Sequence, residues 1–503
     1  MKIDLINDSI KRIIDFKPEL EPIKKSRRLL FVGKRIDNKE YYPVTNEINR
    51  IRAFDNELCQ LEKYQNQNIE ISNMDNGDPC DSKYFPLVDE YVKKCFKEKD
   101  IYQYPAVVGA DEYREDVLKY LFSEGFNKDM DINNIGFTVS TTQAFRLIIK
   151  IIARPYDVIL FTAPNYGLFT FIAENTGAVV ETVNLDLEDS WYVNPDKVAK
   201  RIDELNEDLK EKYDNLDYTP RVVGFFFENP NNPTGKVMGK KHSNVLKKLL
   251  NICTKRDVFI IDDLVYKDIS FDINNQALPL ATFHKSENMI ISLFGVSKSY
   301  GLAGLRAGFV VANKVIIQGI KDLMFQELDS VPIVQSAVIA ACYNDTKKRN
   351  IIYKKYFIKL VERYKFHFEL TSAMINGIDC VKDPKIRKKI TNLIKKFCKQ
   401  DYYVLIKGIE GIDIVEDMIP ESGFFLVVDF TKLIGKKYKN KVFNNMIDIS
   451  TSLYKDQNIR LLIGEAMSWP VKNSAVGRFS FAFNEEKLIR TFQRLHYFVE
   501  ELK

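Results

Sequence analysis

Between about residues 135 and 312, short apolar runs alternate with stretches whose apolar residues recur at helical spacing. Asp157–Ala163, Val222–Phe227, Val258–Ile261, Met289–Phe294 and Gly308–Ala312 are β-branched or aromatic and bounded by turn residues, which predicts strands. Ala144–Ala153 and Ser243–Arg256, lying between them, predict amphipathic helices. Runs that are apolar throughout, rather than alternating, belong to strands buried on both faces. The pattern therefore predicts an α/β domain built on a mostly parallel sheet with helices on both faces. In such sheets binding groups gather at the carboxyl ends of the strands.

The flanks read differently. Residues 1–70 are polar and charge-mixed, with a basic patch at Lys24–Arg28, and suggest an appended arm. A turn at Gly77-Asp78-Pro79 and a helix at Asp111–Phe122 follow. Beyond about 335 the chain turns helical and Lys-rich, at Tyr353–Met374 and Ile386–Gln400. It continues with a strand-like Gly423–Asp429, an extended Gly477–Phe483 and a terminal helix at Glu485–Leu502. The expected division is an arm (1–70), a segment joining a small domain (71–115), a large domain (116–335) and a smaller α+β domain (336–503). The charge-dense stretch near 383–400 would be a helical insertion in that last unit.

Composition removes several classes of function. Of 503 residues, 45% are apolar and 28% charged, ordinary globular usage that excludes wholesale disorder. Lys and Arg number 74 against 69 Asp and Glu; the resulting +5 gives no basic footprint for nucleic acid. No apolar stretch approaches the ~20 residues of a membrane span, and the start, MKIDLINDSIKR, lacks the apolar core of a secretory signal. Seven cysteines without a C-x-x-C pair point to reduced thiols in the cytoplasm, and four scattered histidines make a zinc site improbable.

Three segments carry candidate chemistry. Ser297-Lys298-Ser299-Tyr300-Gly301 through Arg306-Ala307-Gly308 directly follows an apolar run. A lysine at a strand end among glycines is out of place as a solvated residue, and Arg306 offers a planar fork suited to phosphate. A glycine-rich corner with an exposed lysine would fit the same residues. Asn229-Pro230-Asn231-Asn232-Pro233-Thr234-Gly235 follows the run Val222–Phe227; its Asn-Pro steps restrict the backbone around Asn232. Turn chemistry alone would also explain it. Asp262-Asp263-Leu264-Val265-Tyr266 closes Val258–Ile261 and sets an acid and a phenol three residues apart; a helix cap is the plainer alternative.

Together these segments resemble the pyridoxal-phosphate-dependent aminotransferases of fold type I, class I/II. Tyr104-x4-Gly109-x4-Arg114, Thr138–Ala144, Pro164-Asn165-Tyr166 and Gly477-Arg478-Phe479-Ser480-Phe481 extend the likeness, in order, over about four-fifths of the chain. The resemblance implies a fold-type-I architecture and pyridoxal 5′-phosphate as cofactor. It also implies Lys298 as the Schiff-base lysine and Cα base, Asp263 at the pyridine nitrogen, and Tyr266 and Asn232 at the phenolic oxygen. Tyr166 would lie on the ring face, and Ser140, Thr141, Thr142, Ser297 and Arg306 around the phosphate, joined by Tyr104 of a partner subunit. Arg478 would hold the substrate α-carboxylate, with Asn232 and Gly77 beside it. Asp262 is a second candidate for the ring acid, though the Asp-x-x-Tyr spacing favours Asp263.

Two positions depart from the family pattern. Gly295 stands where many relatives carry a phosphate-binding hydroxyl, a bond that Thr141 or Thr142 would have to supply. Ser140 stands where glycine is common. The expected function is amino transfer between an L-amino acid and a 2-oxo acid by a cytoplasmic homodimer with shared sites, needing neither metal, nucleic acid nor membrane. The alternatives are a lyase, cyclase or oxygen-using enzyme like the aminocyclopropane carboxylate synthases, and a ligand-sensing regulator with a DNA-binding domain, for which residues 1–70 are short.

Overall fold

A computed structural model of the chain describes residues 71–79, 83–97, 101–213, 218–283 and 287–502. The arm expected for residues 1–70 and its basic patch lie outside these residues. A seven-stranded sheet forms the centre: β1 (Ile135–Thr138), β2 (Val158–Ala163), β3 (Val179–Asn184), β4 (Val222–Glu228), β5 (Phe259–Asp263), β6 (Ile290–Gly295) and β7 (Gly308–Val311), in the spatial order β1-β7-β6-β5-β4-β2-β3. The pairs β3–β2, β2–β4, β4–β5 and β5–β6 are parallel; β7 runs against both of its neighbours. Every residue of β2, β4 and β6 is buried, as expected of strands covered on both faces.

Five of these strands match the apolar runs. The other two, β1 and β3, are the edges of the sheet. β3 reads Val-Val-Glu-Thr-Val-Asn and is mostly half-buried, so polar residues interrupt its run. β1 has only four residues and includes Gly136, too little apolar signal to stand out.

Helices α1 (Asp111–Ser123), α2 (Ser140–Ile152), α3 (Gly167–Thr176), α4 (Pro195–Lys212), α5 (Ser243–Lys255) and α6 (Lys314–Leu328) surround the sheet. Punctuation sets their starts: Asn194 accepts from the Asp196 N–H ahead of Pro195 in α4, and Asn313 accepts from the Ile316 N–H in α6. An aromatic cluster fastens the two helices that border the site. Phe145 of α2 meets Phe169 of α3 at 4.8 Å and Phe226 of β4 at 5.3 Å between ring centroids, in edge-to-face geometry. Phe161 of β2 completes it, 5.1 Å from Phe226.

The C-terminal part carries a four-stranded antiparallel sheet of β8 (Asp413–Ile414), β9 (Phe425–Asp429), β10 (Leu462–Ile463) and β11 (Val476–Ser480), ordered β10-β11-β9-β8. The long α7 (Lys347–Asn376) and the terminal α9 (Glu485–Glu500) pack together, with α8 (Pro384–Phe397) against both. α8 is the charge-dense stretch. Asp383 caps it at the Lys385 N–H, and its Ile390 and Ile394 are fully buried, so only one of its faces is solvated. Near the other end of the described chain, Ser72–Asn73 pairs in parallel with Ile459–Arg460, and the Ser480 N–H donates to the Met74 carbonyl at 2.7 Å. Residues 74–78 are thereby laid beside β11. Among the described residues no helix is long and apolar enough to cross a membrane.

Phe226→Ala should destabilise the protein by about 3–5 kcal/mol, because the edge-to-face cluster leaves a cavity no neighbour can fill. Urea unfolding followed by tryptophan fluorescence checks this; an unchanged midpoint would contradict the packing described.

Candidate active site

Five strands deliver their next residues to one place. After β1 the chain enters α2 through Ser140, Thr141 and Thr142; after β2 it presents Tyr166; β4 leads to Asn232, β5 ends in Asp263 and leads to Tyr266, and β6 leads to Ser297 and Lys298. All of these line a cavity of about 460 Å³, together with Arg306, and with Arg478 from β11. Gly77, Asp75, Asn76 and Phe425 close its other side. Of the residues expected from sequence, Tyr104 alone lies outside: it is 86% exposed and does not line this chain's own cavity. A larger cavity of about 640 Å³ opens beside β3, lined by Glu181, Lys472 and Trp469, and holds none of the expected residues.

Local structure explains the two departures from the family pattern. Ser140 has a φ of 82°, a left-handed backbone that glycine adopts without strain. Gly308 must lack a side chain at this point, because a Cβ there would stand 2.8 Å from the Phe294 carbonyl oxygen and 3.0 Å from the Thr141 nitrogen. At Gly295 a Cβ would meet Thr141 Cγ2 at 3.1 Å, so the Thr141 side chain fills the space a hydroxyl-bearing residue would occupy. α2 begins with no side-chain cap, which leaves the N–H groups of its first turn directed at the cavity. Arg306 stands exposed at the mouth, its Nη1 donating to the Ala303 carbonyl at 2.9 Å.

The interior is charged and closed. Asp263 is 1% exposed; its Oδ1 accepts from the Val265 N–H at 3.1 Å, and its Oδ2 has no partner among the described residues. Burial pushes its carboxyl up to about 7, against the Val265 hydrogen bond and the charge of Lys298, which pull it down. Asp262, the alternative acid, faces away: it does not line the cavity, and its Oδ2 accepts from the Leu280 N–H at 2.9 Å. Lys298 Nζ donates to the Gly77 carbonyl at 2.5 Å. Arg478 is 2% exposed, donates from Nη1 to Asn232 Oδ1 at 2.9 Å and from Nη2 to the Asp75 carbonyl at 2.6 Å, and lies 3.8 Å over the Phe425 ring. Its Nε has no partner among the described residues. Asp75 is itself held by Arg460 at 2.7 Å.

Sequence reasoning missed Glu228. It is the last residue of β4, lines the cavity and accepts the Asn232 N–H through Oε2 at 3.1 Å. The available signal was a carboxylate at the end of a buried apolar run, one residue past the predicted strand. Asp75 and Asn76 were missed because a pairing across hundreds of residues brings them in, and Phe425 because β9 reaches the site only through its pairing with β11.

A buried, unpartnered carboxylate oxygen, an uncapped helix start with a basic mouth residue and a buried guanidinium with an idle N–H form a divided set of donors and acceptors. A cationic ring nitrogen, a phosphate and a carboxylate would satisfy them respectively, which fits pyridoxal phosphate with an amino acid.

Comparison with known proteins agrees. A family model described as aminotransferase class I and II matches residues 69–386. The chain belongs to that family, whose members depend on pyridoxal phosphate. It is 24% identical over 276 residues to an LL-diaminopimelate aminotransferase of Nitratidesulfovibrio vulgaris, covering 54% of this chain and 65% of that protein, less than two thirds of its length. A probable aspartate/prephenate aminotransferase of Aquifex aeolicus is 22% identical over 403 residues, 80% of this chain and 84% of the other. Among solved structures, the aspartate aminotransferase of Rhizobium meliloti superposes with a TM-score of 0.68 at 16% identity, covering 90% of this chain and 96% of that one; this likeness concerns the fold.

Burial also holds the Asp262 carboxyl up at about 8. Its folded-state value stands above the unfolded one, so its contribution to stability is full below the ordinary carboxylate range and is lost as pH rises toward about 8. Asp262→Asn, which can still accept from Leu280, should therefore flatten the fall in the apoprotein's thermal midpoint between about pH 5 and about pH 8. A variant as pH-sensitive as the native protein in differential scanning calorimetry would refute this.

Proposed function

We propose that the protein is an aminotransferase, moving the amino group of an L-amino acid to a 2-oxo acid. The observation that carries the proposal is the placement of Lys298, Asp263, Tyr266, Asn232 and Arg478 around one closed cavity at the strand ends. When bound, pyridoxal phosphate supplies the electron sink for negative charge left at the amino acid's Cα.

The residues divide the remaining work. Asp263, when ionised, would keep a pyridine nitrogen protonated. Tyr266 and Asn232 would donate hydrogen bonds to the phenolic oxygen, and Tyr166 would lie beside the ring. The first-turn N–H groups at Ser140, Thr141 and Thr142, with Ser297 and Arg306, would hold the phosphate. Arg478 clamps the α-carboxylate with its planar fork, pre-aimed by Asn232, Asp75 and Phe425. Gly77 borders the substrate and, through its carbonyl, orients Lys298. The amine of Lys298 would take the proton from Cα and deliver it to the cofactor carbon that ends bearing the amino group; a lysine whose basicity falls on burial suits that role.

A homodimer is part of this proposal. Tyr104, highly exposed on its own chain, would enter the phosphate site of a second copy. A cytoplasmic location is supported by Cys253, Cys342, Cys380 and Cys398, which are thiols rather than disulfides. The relatives' names favour amino transfer over elimination, cyclisation or oxidation, and product analysis under air distinguishes these: keto acid without ammonia or peroxide is expected.

Lys298→Ala should retain the fold and bind the cofactor, yet lose Cα proton exchange by several orders of magnitude. Exchange into deuterated solvent, followed by NMR over a panel of amino acids, measures it. Exchange at the native rate would remove Lys298 from the role of base.

A further inference from the structure

The proposed reaction gives Glu228 nothing to do, although the fold places it in the middle of the charged groups. β4 and β5 pair in parallel with Glu228 opposite Asp263, so both carboxyls leave the sheet at the same level and face the same cavity. Glu228 is 5% exposed. Its Oε2 accepts the Asn232 N–H, and the Asn232 side chain in turn accepts from Arg478. One residue, Asn232, thus connects the acid to the arginine assigned to the substrate carboxylate.

The charged and titratable groups around Glu228 come from every neighbouring element. They are Asp263 at the end of β5, Tyr266 beyond it, Lys298 after β6, Tyr166 after β2 and Arg478 on β11. Four acids, Asp75, Asp78, Glu228 and Asp263, line the cavity with Lys298, Arg306 and Arg478; Asp75 is paired with Arg460, and Arg306 stands exposed at the mouth. A docking carboxylate adds a negative charge at Arg478, with only Asn232 between it and Glu228, and a like charge that near favours the protonated form of a buried acid. Proton uptake by one of the acids relieves the excess. Asp263 is committed to the ring nitrogen, which leaves Glu228.

We propose that Glu228 is the resting counter-ion of Arg478 and takes up a proton when a substrate carboxylate docks there, linking carboxylate binding to proton binding. The inference rests on the assignment of Arg478 as the carboxylate site. Burial first, and the charge of Asp263 second, push Glu228 well above the ordinary carboxylate range, so the linkage falls at higher pH than ordinary carboxylates titrate. Below the titration of Glu228 the proton is already present and affinity is full. As pH rises through it, the proton must be acquired on binding, and affinity falls by up to about tenfold per pH unit.

Calorimetry on the protein loaded with pyridoxal phosphate tests this, using acetate and 3-phenylpropionate as non-reacting carboxylates in two buffers of different ionisation heat. The native protein should take up as much as one proton per carboxylate and lose affinity as pH rises. Glu228→Gln, an uncharged isostere, should bind with no uptake and a flat pH profile, and Glu228→Asp should restore the uptake. Equal uptake in Glu228→Gln, or native binding without uptake at any pH, overturns the proposal. Failure of the native protein to bind either carboxylate overturns the assignment of Arg478 and this inference with it. Should Glu228→Gln lose the cofactor's absorbance, infrared difference spectra of the native protein decide instead: a protonated-carboxyl band gained on ligand binding supports the proposal, and its absence overturns it.

Discussion

The sheet buries a carboxylate at the end of β5, and the rest of the site is arranged around that constraint. Asp263 is all but inaccessible, and one of its oxygens has no partner among the described residues. An unpaired charge in such a place costs several kcal/mol unless something cationic meets it. Lys298 lines the same cavity, and a protonated ring nitrogen would complete the pairing. Under the proposed function such a group would relieve a costly position and gain both affinity and a fixed orientation from it.

The sheet supplies the precision. β4, β5 and β6 are parallel and in register, so Glu228, Asp263 and the approach to Lys298 emerge at one level, separated by the ~4.8 Å spacing of adjacent strands. The aromatic cluster on Phe145 and Phe226 fixes α2, and with it the N–H groups that face the phosphate position. Arg478 arrives from the other sheet. Its aim depends on Asn232, Asp75 and the Phe425 ring, three groups from three distant parts of the chain. A substrate carboxylate would therefore bridge the two sheets.

Much of this was legible in the sequence, for identifiable reasons. Strands buried on both faces are continuous apolar runs, so β4, β5 and β6 stood out, and the residues just past them were natural candidates. The edge strands β1 and β3 were not legible, because an edge is short or carries polar residues that break the run. Glu228 was missed by the width of one strand boundary. Ser140 is informative in the opposite sense: its left-handed φ of 82° shows why glycine is common there, and the serine holds a backbone that glycine adopts without strain. Tyr104 shows a different limit: the role proposed for it lies on a second copy, and it stands exposed outside its own chain's cavity.

The central claim is that one lysine, Lys298, carries the cofactor opposite Asp263. Borohydride reduction of the loaded protein, followed by peptide mapping, tests it most directly. The account predicts a single phosphopyridoxyl group on Lys298. Labelling at another lysine, such as the buried Lys267, or no stable label at all, would contradict it.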